Sequence, residues 1–231
     1  MNFNPSARVV AEFLGTAFLL AAVVGSGIMA ERLASGNLAI VLLANTLATG
    51  AALVALILTF ATISGAHFNP AVTIADAARG GIAWREAPAY IVAQIAGAFR
   101  GVGEAHIMFG LPLFSLSLHA RSGGPSCGAS SSLPSDCSRS FEDALARGPQ
   151  QSPMAAGAYI TATYWFTAST SFANPAVTLA RAASDTFAGI RPADAPGFMV
   201  AQLTGAIAAT LLFRWFGNAT RFGPSTTEIR K

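Results

Sequence analysis

The chain has 231 residues, of which 53% are hydrophobic and only 11% charged, against about 25% charged in an ordinary soluble domain. A chain of this size cannot enclose that much apolar surface in a water-soluble core, so composition excludes a soluble globule. The net charge of +3 does not point to nucleic acid either, because the basic residues form no stripe or cluster.

Four runs contain no Asp, Glu, Lys or Arg: Phe13–Ala30, Leu33–Ala75, Gly148–Ala180 and Ala195–Phe213. A helix needs roughly 20 apolar residues to cross the ~30 Å hydrocarbon layer. The runs predict a first span near Val9–Met29 and a second near Leu38–Ile63, and an apolar stretch interrupted by Arg100 and Glu104 predicts a third near Ala87–Phe109. A fifth is predicted near Met154–Thr170 and a sixth near Pro196–Phe216. Arg8 ahead of an apolar stretch imitates a secretory signal, but Glu12 and the length of the stretch argue for a retained span. Arg8, Arg79, Arg85, Arg214, Arg221, Arg230 and Lys231 sit at the ends of apolar segments. That placement predicts a multi-pass protein of the cell (inner) membrane, with the N-terminus, the loop near residue 80 and a tail over 217–231 cytoplasmic.

Residues 121–153 interrupt the pattern. They are rich in Ser, Gly and Pro and contain Arg139, Glu142, Asp143 and Arg147. Each charge costs about 2.5–3.5 kcal/mol at the membrane centre, so a fourth span is expected to be degenerate or missing. An exposed loop over 122–152 is predicted, with a short helix over Ser140–Ala146. Cys127 and Cys137 in this segment are read as unpaired thiols, since a disulfide needs an oxidising face.

The chain also repeats itself. Asn69-Pro70-Ala71-Val72-Thr73-Ile74-Ala75 recurs as Asn174-Pro175-Ala176-Val177-Thr178-Leu179-Ala180, and each copy precedes an Ala-Gln-x-x-Gly-Ala segment carrying Gln94 or Gln202. The motifs lie 105 residues apart and the glutamines 108. A single membrane domain over 1–231 follows, with a first repeat over 8–120 and the rest of the second over 154–216. Halves that insert in opposite orientations are related by inverted symmetry. Asn is a favoured N-cap and Pro a favoured first helical residue, so each motif opens a short helix, Pro70–Ala78 and Pro175–Ala183. Both are too short to cross and are read as re-entrant. Two ordinary surface helices are the plainer alternative, disfavoured because both motifs lie in charge-free sequence. Tip to tip at the midplane, each half-helix would bring about half a positive charge and an asparagine NH₂, donors for a neutral solute and a barrier to cations.

Ser64-Gly65-Ala66-His67-Phe68-Asn69-Pro70-Ala71-Val72 resembles the first signature of the aquaporin, or major intrinsic protein, family. The resemblance implies an all-α membrane fold of six spans and two half-helices, assembled as a homotetramer with one pore per subunit. It also implies a pore built on Asn69, Pro70, Ala71, Asn174, Pro175 and Ala176, and an outer selectivity filter at Thr49, Ala162, Ser171 and Val177. Most family members carry arginine where Val177 stands, so a wider, less charged filter is expected. Val177 with Thr49 is similar to the aquaglyceroporin-like channels of bacterial arsenic-resistance operons (the AqpS type). Arsenite and other arsenicals, glycerol-like polyols and water are the implied cargo. Glu12 matches a family glutamate that supports a re-entrant loop.

Among the other polar residues, His67 is read as loop support, and Gln94 and Gln202 as hydrogen-bonding between helices. Asp76 and Asp185 are read as solvated or at helix ends. Arg100 and Glu104, four apart, can neutralise each other. No metal-ligand spacing, catalytic triad order or phosphate loop is present, so neither an enzyme nor a bound metal or cofactor is expected. A non-conducting remnant damaged in the fourth span, and a secondary transporter with broken helices, are the alternative functions.

Overall fold

A computed structural model describes residues 3–121, 152–167 and 169–219, which fold into seven helices without a strand. They are α1 (Pro5–Leu33), α2 (Leu38–Ser64), α3 (Pro70–Arg79), α4 (Ala87–Met108), α5 (Ser152–Phe166), α6 (Pro175–Arg181) and α7 (Ala195–Ala219). Helices α1, α2 and Ala195–Leu212 of α7 are long and apolar enough to cross a bilayer.

The start of α1 lies ahead of the predicted Val9 because Asn4-Pro5 is a helix-opening signal like those at the two repeats. Asn4 Oδ1 accepts the Ala7 N–H at 2.8 Å, and Pro5 fills the first helical position. A tight reversal at Ser35 (φ 48°) and Gly36 (φ 85°) leads to Asn37, which caps α2 through the Ala39 and Ile40 N–H groups. Gly65 in the left-handed region ends α2.

Helix α1 is the hub, packed against α2 and α4. A Cβ on Gly97 or Gly101 of α4 would overlap the Phe13 or Ala17 carbonyl of α1. Two glycines one turn apart thus let the backbones touch, the means by which membrane helices gain van der Waals contact without a hydrophobic drive. Helix α5 meets α2 in the same way, Gly157 against Gly50. Large apolar side chains such as Leu58, Val92, Ile107 and Val200 point outward, a costly arrangement in water and a favourable one in lipid. Arg100 and Glu104 form an ion pair at 2.7 Å on the outer face of α4.

At the gap between described segments, Arg121 and Ser152 lie at opposite ends of the bundle. Arg121 donates to the Phe187 and Gly189 carbonyls, beside the C-terminal end of α1 where Glu31 accepts the Phe187 N–H. Helix α5 runs antiparallel to α2, with Gly157 beside Val54 and Tyr164 beside Thr49, so its start faces the other end. The fifth span therefore has the polarity that lets the second motif face the first. The predicted degenerate fourth span, the helix over Ser140–Ala146 and both cysteines lie outside the described residues.

Two predicted ends are corrected. Helix α6 stops at Arg181 rather than Ala183, because the Ala182 and Ala183 carbonyls accept the Ser117 and Ser115 N–H groups and cannot continue the helical ladder. Helix α5 stops at Phe166 rather than Thr170, where Thr167 Oγ1 accepts the Ser171 N–H and turns the chain toward the second motif.

Candidate pore

The loop before α3 holds Ala66 and Phe68 at positive φ (49° each), a conformation that L-residues rarely adopt and that its surroundings must enforce. Glu12, fully buried in α1, supplies the constraint. One carboxylate oxygen accepts Ser64 Oγ–H at 2.6 Å and the His67 N–H at 2.9 Å; the other accepts the Phe68 N–H at 2.7 Å and Gln94 Nε2–H at 2.8 Å. A buried charge needs such compensation. Gln94 also donates to Thr73 Oγ1 (2.9 Å), and its repeat counterpart Gln202 donates to Thr178 Oγ1 (2.7 Å). Both glutamines therefore fix a half-helix to a spanning helix.

The half-helices meet tip to tip. Asn69 Oδ1 accepts the Ala71 N–H (2.9 Å) and Asn174 Oδ1 the Ala176 N–H (3.0 Å), each capping its own helix. The amide nitrogens cross over: Asn69 Nδ2 donates to the Ala173 carbonyl at 3.0 Å, and Asn174 Nδ2 to the Phe68 carbonyl at 2.6 Å. Each NH₂ has two protons, so one remains for the lumen that both asparagines line. Pro70, Ala71, Pro175 and Ala176 are buried behind the tips, and only the asparagines of the two triplets reach the wall.

The lumen is a cavity of about 110 Å³. One side is apolar, with Leu19, Val23, Leu53, Ile57 and Ile160; the other carries the two asparagines. His67 stands between this lumen and a recess of about 370 Å³ at the Glu12 end. Its Nδ1 lies 3.1 Å from Thr73 Oγ1 and its Nε2 3.5 Å from Asp76. Asp185 lies at the opposite end and accepts the Leu118 N–H at 2.9 Å.

At the end of the lumen away from His67, the wall contains Thr49, Ser171 and Val177. Thr163 Oγ donates to Ser171 Oγ at 2.6 Å, locking its rotamer. Ala162 is corrected: it is exposed, and Tyr164 lines the cavity instead, 3.4 Å from Thr49 Oγ1 through its hydroxyl. Ile160 and Tyr164 are one turn apart and share the inner face of α5, which places residue 162 on the far side. Arg181, 1% exposed, lines the same cavity one turn beyond Val177. Counting only the position that Val177 holds missed it; the four-residue spacing on a half-helix was the available signal. Among the described residues no group of His, Cys, Asp and Glu could hold a metal ion.

The sequence matches the profile of the Major intrinsic protein family over residues 2–121 and 126–229. The chain belongs to that family. The match resumes at residue 126 and so runs through the polar segment that composition sets apart. Aquaglyceroporin AqpS of Rhizobium meliloti is 48% identical over 95% of this major intrinsic protein and 94% of its own length. Aquaporin NIP1-1 of Zea mays is 41% identical over 45% of this chain and 36% of its own. The X-ray structure of the aquaglyceroporin from Plasmodium falciparum superimposes with a TM-score of 0.73 at 19% identity, covering 94% of this chain and 97% of that one, a likeness of fold. This major intrinsic protein is an integral membrane channel for small uncharged solutes.

Proposed function

We propose that the channel passes glycerol-like polyols, undissociated arsenite and related arsenicals, and water, by passive flux in either direction. The observation that carries this reading is the pair of crossed asparagine bonds, which leaves one amide proton per motif facing a lumen whose opposite wall is aliphatic. A polyol or hydroxylated metalloid presents oxygen acceptors to the amides and its less polar side to Leu53, Ile57 and Ile160. Each solute oxygen then exchanges water for a protein donor at small net cost.

Asn69 and Asn174 donate to solute, with Thr49, Ser171 and Val177 setting the width of the outer throat. Glu12, His67, Gln94 and Gln202 hold the half-helices in place. No lumen carboxylate occurs among the described wall residues, which supports a channel over an ion-coupled transporter and gives no group for an enzymatic step. Family membership supports a homotetramer, and the basic residues support a cell (inner) membrane location with a cytoplasmic N-terminus and no nucleic-acid partner.

Stopped-flow light scattering on proteoliposomes tests the function. Glycerol and arsenite should equilibrate faster than across empty liposomes, at rates equal in both directions and indifferent to ion gradients. Absence of faster uptake for every neutral solute would favour a non-conducting remnant, and a required ion gradient would favour a transporter.

A further inference from the structure

We propose that Arg181 is the cation-excluding and solute-orienting group of the outer throat, supplying from one turn along α6 the charge that Val177 lacks. This rests on the channel reading above.

Residues four apart on a helix share a face, and both Val177 and Arg181 border the cavity, together with Thr49, Tyr164 and Ser171. The Arg181 guanidinium stacks 3.8 Å from the centre of the Phe172 ring. Its Nε donates to the Ala188 carbonyl, and Nη2 approaches Thr170 Oγ1 at 3.5 Å. No carboxylate among the described residues forms an ion pair with it, and Nη1 has no hydrogen bond to a described residue. Arginine has five N–H donors, so the protein orients this group without neutralising it or using all its donors.

A buried, unpaired cation is costly unless something accepts from it. The available acceptor is whatever occupies the lumen: water, or the oxygen of a passing solute. Arg181 therefore discriminates by charge and by hydrogen-bonding at the same point. An ammonium-type cation meets an unshielded positive charge in a throat of low dielectric, whereas a hydroxylated neutral solute meets a donor. Val177, small and apolar, leaves the space through which the more distant guanidinium acts.

Two experiments separate this role from a purely structural one. In proteoliposomes, wild-type protein should pass glycerol and exclude methylammonium; Arg181→Gln should admit methylammonium about tenfold faster, and Arg181→Lys should restore exclusion. Arg181→Gln vesicles that pass glycerol yet exclude methylammonium as wild type does would overturn the proposal. The second experiment keeps Arg181 and so does not depend on that variant folding. Val177→Cys, in a chain whose Cys127 and Cys137 are serine, is reacted with methanethiosulfonates bearing a sulfonate or a trimethylammonium group. The sulfonate-to-ammonium rate ratio should exceed that of a free thiol by about tenfold. A ratio equal to or below the free-thiol value would overturn the assignment. Failure of wild-type glycerol flux would count against the channel reading, while the thiol ratio would still decide the charge of the throat.

Discussion

At Glu12 one carboxylate joins α1, the end of α2, the loop before α3 and α4 through four short hydrogen bonds. Glu12→Ala would strand four donors inside the bundle and release the two left-handed residues. Breaking a buried charged network by removing one partner costs about 3–5 kcal/mol. The expected outcome is a markedly lower unfolding midpoint in detergent and loss of glycerol uptake by reconstituted protein. Asn174→Ala tests the tip itself. It removes a cap worth about 1 kcal/mol, leaves the Phe68 carbonyl without its crossing donor and deletes one lumen amide. Glycerol flux should fall severalfold while the protein still folds, as flux and circular dichroism on one preparation would show.

What could be read at this scale depended on distance from a motif. Ser171 and Val177 flank the second Asn-Pro pair, and Thr49 sits on a long uninterrupted helix whose phase is stable over twenty residues. The fifth-span position was lost because a turn of irregular backbone separates α5 from the motif. Counting across it cannot preserve helical phase, and it landed on Ala162 instead of Tyr164. Arg181 escaped because its sequence neighbours place it at a helix end, where a basic residue is ordinary; its burial is visible only in three dimensions.

Helices were legible wherever a cap or glycine marks them, and less so where tertiary contacts end them. The charge-free runs and the Asn-Pro starts located every described helix but α4, which carries Arg100 and Glu104 and has no side-chain cap. The C-terminal trim of α6 depends on backbone pairing with Ser115 and Ser117, far away in sequence. At the α1–α4 seam, Gly101→Leu would force a side chain against the Ala17 carbonyl. Overpacking of this kind costs about 1–3 kcal/mol or more, and thermal unfolding should register it even though residue 101 is remote from the lumen.

The segment 115–121, whose Ser115 and Ser117 N–H groups trim α6, is tied at Arg121 by Asp194, which accepts from Arg191 at 2.8 Å and from the Arg121 N–H at 3.1 Å. The hydrogen bond from Arg191 holds this carboxyl below its usual range. With the folded-state pKa depressed, the tie is fully present above the ordinary carboxylate pKa and is lost only as pH falls through the lower folded value. Protein stability followed from pH 7 to pH 5 should therefore show no change due to Asp194, whose contribution stays complete there; Asp194→Asn should remove the acid-limb component below that window.

Over the whole molecule, outward-facing leucines, valines and isoleucines surround an interior that carries Glu12, Asn45, Gln94, His106 and Gln202 fully buried. Lipid has no use for polar side chains, so a membrane protein concentrates them where they bond one another or line a path. Composition and the charge-free runs announced this inversion of the soluble pattern, and the opposite placement of Arg121 and Ser152 gives the second half its reversed direction. Native mass spectrometry should find four copies per particle, each conducting independently, so that inactivating one copy in four lowers flux by about a quarter.

Each asparagine at the centre is held by a carbonyl belonging to the other repeat. Losing one tip's side-chain donor strips a hydrogen bond from the backbone beside the other tip and so loosens its counterpart. The narrow middle of the path is thus the weld between two descendants of one ancestral segment, and cargo is screened at the joint that keeps the halves together.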